Sequence, residues 1–200
     1  MKPRQFFPLV FFGIAAIATS AQAHGWHDGA PGGFAAGFAH PFSGIDHLLA
    51  MLAVGLWSAS ANPRPWAAPL SFAALLIAGA LASGSGLVPA FMLRGTEPVI
   101  AASVFVLGLL VALKFRLAAP AAVAVVGAFA FFHGAAHGGE LGATAAPLAG
   151  LAVATALLHG GGMALGFALR GLHRRWLALA GGGIALTGLG LGAVLLGALA

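Results

Sequence analysis

Residues 97–114 read Glu97-Pro98-Val99-Ile100-Ala101-Ala102-Ser103-Val104-Phe105-Val106-Leu107-Gly108-Leu109-Leu110-Val111-Ala112-Leu113-Lys114. No charged side chain interrupts the run between the carboxylate at one end and the ammonium at the other. A helix rises about 1.5 Å per residue, so this run comes close to the roughly 30 Å of hydrocarbon in a bilayer. The apolar stem of Lys114 makes up length by reaching outward. Comparable runs recur at 42–60, 67–85, 117–138, 144–169 and 176–199. The chain of 200 residues is 60% hydrophobic and 6% charged, and its mean hydropathy is +1.01. A soluble domain carries about a quarter charged residues, so no ordinary water-facing surface can be built from this composition. The fold expected is all-α: a polytopic membrane helix bundle of six transmembrane helices.

The N-terminal end has a different character. Lys2 and Arg4 precede a short apolar run over 6–18, and Ala21-Gln22-Ala23 follows. This is the order of a secretory signal peptide: basic region, apolar region, small-residue cleavage site. Residues 1–23 are therefore expected to be removed, leaving 24–200 as one six-helix domain whose first residue, His24, is periplasmic. An uncleaved first helix is the alternative. In this orientation the inner segments hold Arg64, Lys114, Arg116, Arg170, Arg174 and Arg175. The outer segments hold Arg94 as their basic residue, with Asp28, Glu97 and Glu140. That asymmetry obeys the positive-inside rule for a bacterial inner membrane.

The net charge of +5 comes from basic residues scattered singly. They form no patch, so membrane lipid and not nucleic acid is the expected partner. There is no cysteine, which excludes disulfides and thiolate metal sites. A metal would have to be held by nitrogen and oxygen donors, with methionine as a supplement. Glycine is abundant, at 31 residues. The pairs Gly134/Gly138, Gly162/Gly166 and Gly188/Gly192 have the spacing that lets membrane helices approach closely. The run Gly160-Gly161-Gly162 after His159 predicts a helix break lining a cavity. Three spans per half would relate the halves by inverted topology, as in many transporters.

Ionisable groups inside a membrane cost roughly 2.5–3.5 kcal/mol on insertion scales, and they mark function. Three groups of them stand out. The first is His40-Pro41-Phe42-Ser43-Gly44-Ile45-Asp46-His47, with Met51 one turn on. If a helix starts near Pro41, His40 and His47 share one of its faces. Asp46 would point about 100° away from His47, either to bind metal itself or to accept an N–H from an imidazole on a neighbouring helix. The second is His133-Gly134-Ala135-Ala136-His137-Gly138-Gly139-Glu140. Its spacing puts both histidines and Glu140 on one stripe, where two imidazoles one turn apart can share a divalent cation and Glu140 can attract one. The third is His159, alone in the fifth span, which is either a packing residue or a step on a transport path. At the mature N-terminus, His24 and His27 either chelate loosely or form a polar tail. His173 lies among inner arginines and reads as surface. Imidazole with carboxylate suits nickel, cobalt and zinc; a soft copper path would want sulfur donors, and magnesium more carboxylates.

The pattern His40-Pro41-x-x-Gly44-x-Asp46-His47-x-x-Ala50-Met51-x-x-Val54-Gly55-x-Trp57 resembles the signature of the HupE/UreJ family. His133-Gly134-x-Ala136-His137-Gly138-x-Glu140 is similar to that family's second motif. The resemblance spans the mature chain. It departs after Glu140, where Leu141-Gly142-Ala143 stand and a proline comes only at Pro147; relatives often place one soon after the glutamate. The resemblance implies a nickel permease associated with hydrogenase or urease maturation, with cobalt linked to some relatives. It implies His40, Asp46, His47, His133, His137 and Glu140 as the transport-critical set, with Ni2+ (or Co2+) as cargo and no tightly bound cofactor. The sequence contains no ATP-binding motif and no HExxH motif. An intramembrane metal enzyme, or a haem-binding assembly factor with facing histidines, are the competing readings.

Overall fold

The computed structural model describes residues 33–141, 143–171 and 174–198. The expected signal peptide, His24, His27 and His173 lie outside these residues. Within them the regular elements are helices: α1 (Phe34–Ser43), α2 (Ile45–Ala61), α3 (Ala67–Gly84), α4 (Ala90–Leu93), α5 (Thr96–Leu113), α6 (Ala119–Leu141), α7 (Ala145–Leu169) and α8 (Arg175–Ala198). α3, α5, α6, α7 and α8 are long and apolar enough to cross a membrane, and their bounds match five of the expected spans within a few residues.

The first span differs from expectation. α1 and α2 are joined at Gly44 with a bend of 86°, and together they make the sixth candidate crossing. Pro41 sits inside α1, not in the first turn of the span. His40 and His47 therefore belong to two helices rather than to one face of a single helix. The cause is local. Gly44 is extended, with φ −106° and ψ 125°, and the Ser43 hydroxyl donates to the His40 carbonyl at 2.7 Å, which closes the end of α1.

The bundle is inside-out relative to a soluble protein. Leu186, Val194 and Leu196 are 70–71% exposed, while His133, Ser103 and Thr155 are 0% exposed. Such a surface suits lipid, and its interior holds the few polar groups the chain has. This is a membrane protein.

Three helix pairs carry most of the packing: α2 with α7, α3 with α6, and α5 with α8. Each crossing is closed by glycine from both sides. Gly55 abuts the His159 carbonyl while Gly162 abuts that of Leu52; Gly79 meets the Phe131 carbonyl and Gly134 that of Leu76; Gly108 and Gly181 face each other. With no hydrophobic force between helices in lipid, this backbone contact is what packing relies on. Of the expected glycine pairs, Gly134/Gly138, Gly162/Gly166 and Gly188 make such contacts, whereas Gly192 has open space around it. The expected break at Gly160–Gly162 is absent, since α7 runs unbroken from Ala145 to Leu169. Glycine lowers helix propensity by about 1 kcal/mol, but lipid offers the freed backbone groups no partner, so the helix persists. Exchanging the first three spans for the last three maps the α2–α7 pair onto α6–α3 and the α5–α8 pair onto itself. A two-fold repeat of three spans, inverted or parallel, would have that pairing.

Arg170 and Arg174 are bonded to backbone at one end of the bundle. Arg170 Nε donates to the Ala59 carbonyl and Arg174 Nη2 to that of Leu113 at 3.3 Å. Trp57 Nε1 donates to the Phe115 carbonyl at 2.8 Å. These bonds tie the ends of α2, α5 and α7 together, at the end of α2 opposite His47.

Candidate metal centre

The bend at Gly44 turns the end of α1 toward the start of α2, and the His40 and His47 rings come to 6.2 Å between centroids. Asp46 lies in the first turn of α2, where a carboxylate is favoured by the helix dipole. Its Oδ1 accepts from the His47 backbone N–H at 2.9 Å and from the His47 ring at Nδ1, 2.8 Å away. Asp46 therefore serves its own neighbour and not an imidazole on another helix, because side-chain rotation at a helix start overrides the 100° offset of consecutive positions. Glycine is needed beside it: a Cβ at residue 44 would stand 2.5 Å from Asp46 Oδ1 and 3.0 Å from His47 Nδ1.

α6 brings the second motif to the same place. The His47 ring centroid lies 4.8 Å from that of His133 and 4.3 Å from that of His137. The His40 and His137 rings are 4.1 Å apart, joined by a hydrogen bond of 2.6 Å between His40 Nε2 and His137 Nδ1. Four imidazoles from α1, α2 and α6 thus form one cluster, with His40 half-buried and His47 7%, His133 0% and His137 4% exposed.

The polar accounting of this cluster is incomplete. His47 Nε2, His133 Nδ1 and His137 Nε2 are buried without a hydrogen-bond partner. A buried polar atom left unsatisfied costs about 1–3 kcal/mol, so three in one cluster call for an explanation. In the neutral ring whose Nδ1–H donates to Asp46, His47 Nε2 is a bare lone pair. When His137 donates from Nδ1 to His40, its Nε2 is bare as well. Among the described residues, however, no three His, Asp or Glu side chains are arranged as a ready metal site. The His40–His137 bond holds those rings against each other.

Of the remaining expected residues, the side chains of Met51 and His159 are described. Met51 is fully buried in the apolar core one turn below His47. Glu140 belongs to α6, but its side chain lies outside the described residues. His159 is buried on α7, its Nε2 also without a partner. Phe72, 0% exposed, touches both histidine groups, with its ring 5.6 Å from that of His133 and 5.0 Å from that of His159.

Both motifs of the cluster fall within residues 12–191, which match the family model described as HupE / UreJ protein. The chain belongs to the HupE/UreJ family. It is also similar to Protein HupE of Rhizobium leguminosarum bv. viciae, with 37% identity over 180 residues, covering 88% of this chain and 92% of the relative. No solved structure matches it.

Three further residues of this HupE/UreJ protein stand at the cluster and were not singled out from sequence. Ser103 Oγ lies 2.8 Å from His133 Nε2. Phe72 packs as described. Glu97, read from sequence only as an outer charge, lines with Asp46 a cavity of about 100 Å³. A signal for Glu97 existed: the chain has only four acidic residues, so each is conspicuous. For Ser103 and Phe72 no local signal distinguishes them from other serines and phenylalanines. Chemically, a centre of imidazoles braced by a carboxylate suits a borderline divalent cation.

Proposed function

We propose that this protein is a secondary transporter or facilitator that carries divalent nickel, and to some degree cobalt, inward across the bacterial inner membrane. In this reading the mature N-terminus is periplasmic, and the cargo serves hydrogenase or urease maturation. The observation that carries the reading is the set of three buried, unpartnered imidazole nitrogens, His47 Nε2, His133 Nδ1 and His137 Nε2, contributed by α2 and α6. A permeating ion accepts those lone pairs in exchange for its water.

Conduction needs binding that is favourable enough to enter and weak enough to leave. Opening the His40–His137 bond completes the donor set, and its re-formation releases the ion. The Asp46 carboxylate beside His47 offsets part of the cation's charge. Glu97 and Asp46 line the cavity next to the cluster, an approach where a cation is concentrated. The membrane potential favours inward movement by about 2.3 kcal/mol per charge per 100 mV, so passive flux suffices energetically. His159, beyond Phe72, serves as the next donor along the path.

The test is uptake of radioactive nickel by cells carrying the wild type or His47→Ala, with cobalt and zinc as competitors. The variant is expected to lose most uptake while remaining in the membrane at normal abundance. Uptake equal to wild type defeats the reading.

A further inference from the structure

We propose that Ser103 is a positioning residue that holds His133 in its Nε2–H tautomer, so that Nδ1 is the nitrogen His133 offers to the transported divalent cation. The inference rests on the permease reading for its metal half; its tautomer half stands on hydrogen bonds alone.

Ser103 sits in the middle of α5, 0% exposed. Its hydroxyl lies 2.7 Å from the Ile100 carbonyl and 2.8 Å from His133 Nε2. A hydroxyl has one proton to give and lone pairs to receive with. The carbonyl can only accept, so the Ser103 proton goes to Ile100. The second contact is a hydrogen bond only if His133 donates from Nε2. Ser103 accepts that proton, and Nδ1 is left as a bare lone pair, the atom that is buried and unpartnered.

The two rings that face each other across the α2–α6 contact are thereby set in opposite senses. Asp46 occupies Nδ1 of His47 and leaves Nε2. Ser103 occupies Nε2 of His133 and leaves Nδ1. The rings stand nearly perpendicular, at 83°. A histidine that coordinates a metal characteristically has its other nitrogen fixed by an outer partner, and that partner sets which nitrogen binds. An anionic partner serves one ring and a neutral hydroxyl the other, so the cluster gains orientation at His133 without a further negative charge to hold the cation back.

The experiment reads tautomer and metal separately, on full-length protein in lipid nanodiscs. The 15N chemical shifts of His133 are recorded without metal, and nickel affinity is measured by equilibrium titration. Wild type is expected to show a single Nε2–H tautomer. Ser103→Ala is expected to give a tautomer mixture and a Kd for nickel about 10–100-fold weaker. Ser103→Thr, which retains the hydroxyl, is expected to restore both. A purely structural Ser103 would alter stability but neither the ring shifts nor the affinity, and Ser103→Ala with wild-type values for both overturns the inference. So does an Nδ1–H tautomer in the wild type, a result that holds even if Ser103→Ala does not fold. Wild-type protein that binds no nickel overturns the permease reading and the ligand role with it, while the metal-free spectrum still shows whether Ser103 sets the ring.

Discussion

Asp46 shows how much rests on single side chains here. It accepts two N–H groups of His47, backbone and ring, and so decides which His47 nitrogen is bare. Removing an outer partner of a ligating histidine lowers metal affinity by about 10–100-fold. Asp46→Ala is accordingly expected to weaken nickel binding by that factor, as measured by equilibrium titration, with the helical content unchanged. Gly44 has the same standing for a steric reason, since any Cβ there collides with the Asp46–His47 pair. His40, Asp46, His47, His133 and His137 were legible because ionisable residues are rare in such a chain and their cost in lipid singles them out. Ser103 and Phe72 were not, since serine and phenylalanine carry no such cost and their roles depend on which ring they face.

At the scale of elements, the helices are held by glycine crossings more than by side-chain interdigitation. Gly134 and Gly192 offer a controlled contrast. A Cβ on Gly134 would strike the Leu76 backbone, whereas one on Gly192 meets nothing within 4 Å. Gly134→Ala is expected to destabilise the α3–α6 pair by about 1–3 kcal/mol, the usual range for overpacking. Gly192→Ala should leave the thermal midpoint in detergent unchanged; equal shifts for the two variants would contradict the packing described. The spacing of glycines was visible in sequence, but which partner each would meet was not. The bend between α1 and α2 was likewise hidden. Pro41 was visible as a helix signal, and only the extended Gly44 shows that the signal belongs to a short separate helix.

The whole molecule is polarised. Histidines and acidic groups converge at one end of α2 and α6, and arginines close the other end through bonds to the Ala59 and Leu113 carbonyls. The proposed orientation makes a direct prediction, aided by the absence of native cysteine. Leu87, 76% exposed after α3, faces the periplasm in that orientation, and Arg116, exposed between α5 and α6, faces the cytoplasm. A Leu87→Cys variant should react with a membrane-impermeant maleimide on intact spheroplasts, and Arg116→Cys only after permeabilisation. The reverse pattern would invert the direction of transport proposed here.

Membrane residence, the approximate spans and the residues that are chemically expensive there could be read along the chain, because hydropathy, charge placement and residue type are local properties. Folding in three dimensions was needed to bring His40, His47, His133 and His137 into one cluster, to set Asp46 and Ser103 against opposite nitrogens of facing rings, and to keep α7 unbroken through three glycines. Those outcomes depend on which helices meet and at what backbone distance. No run of residues can specify that until its neighbours in space are known.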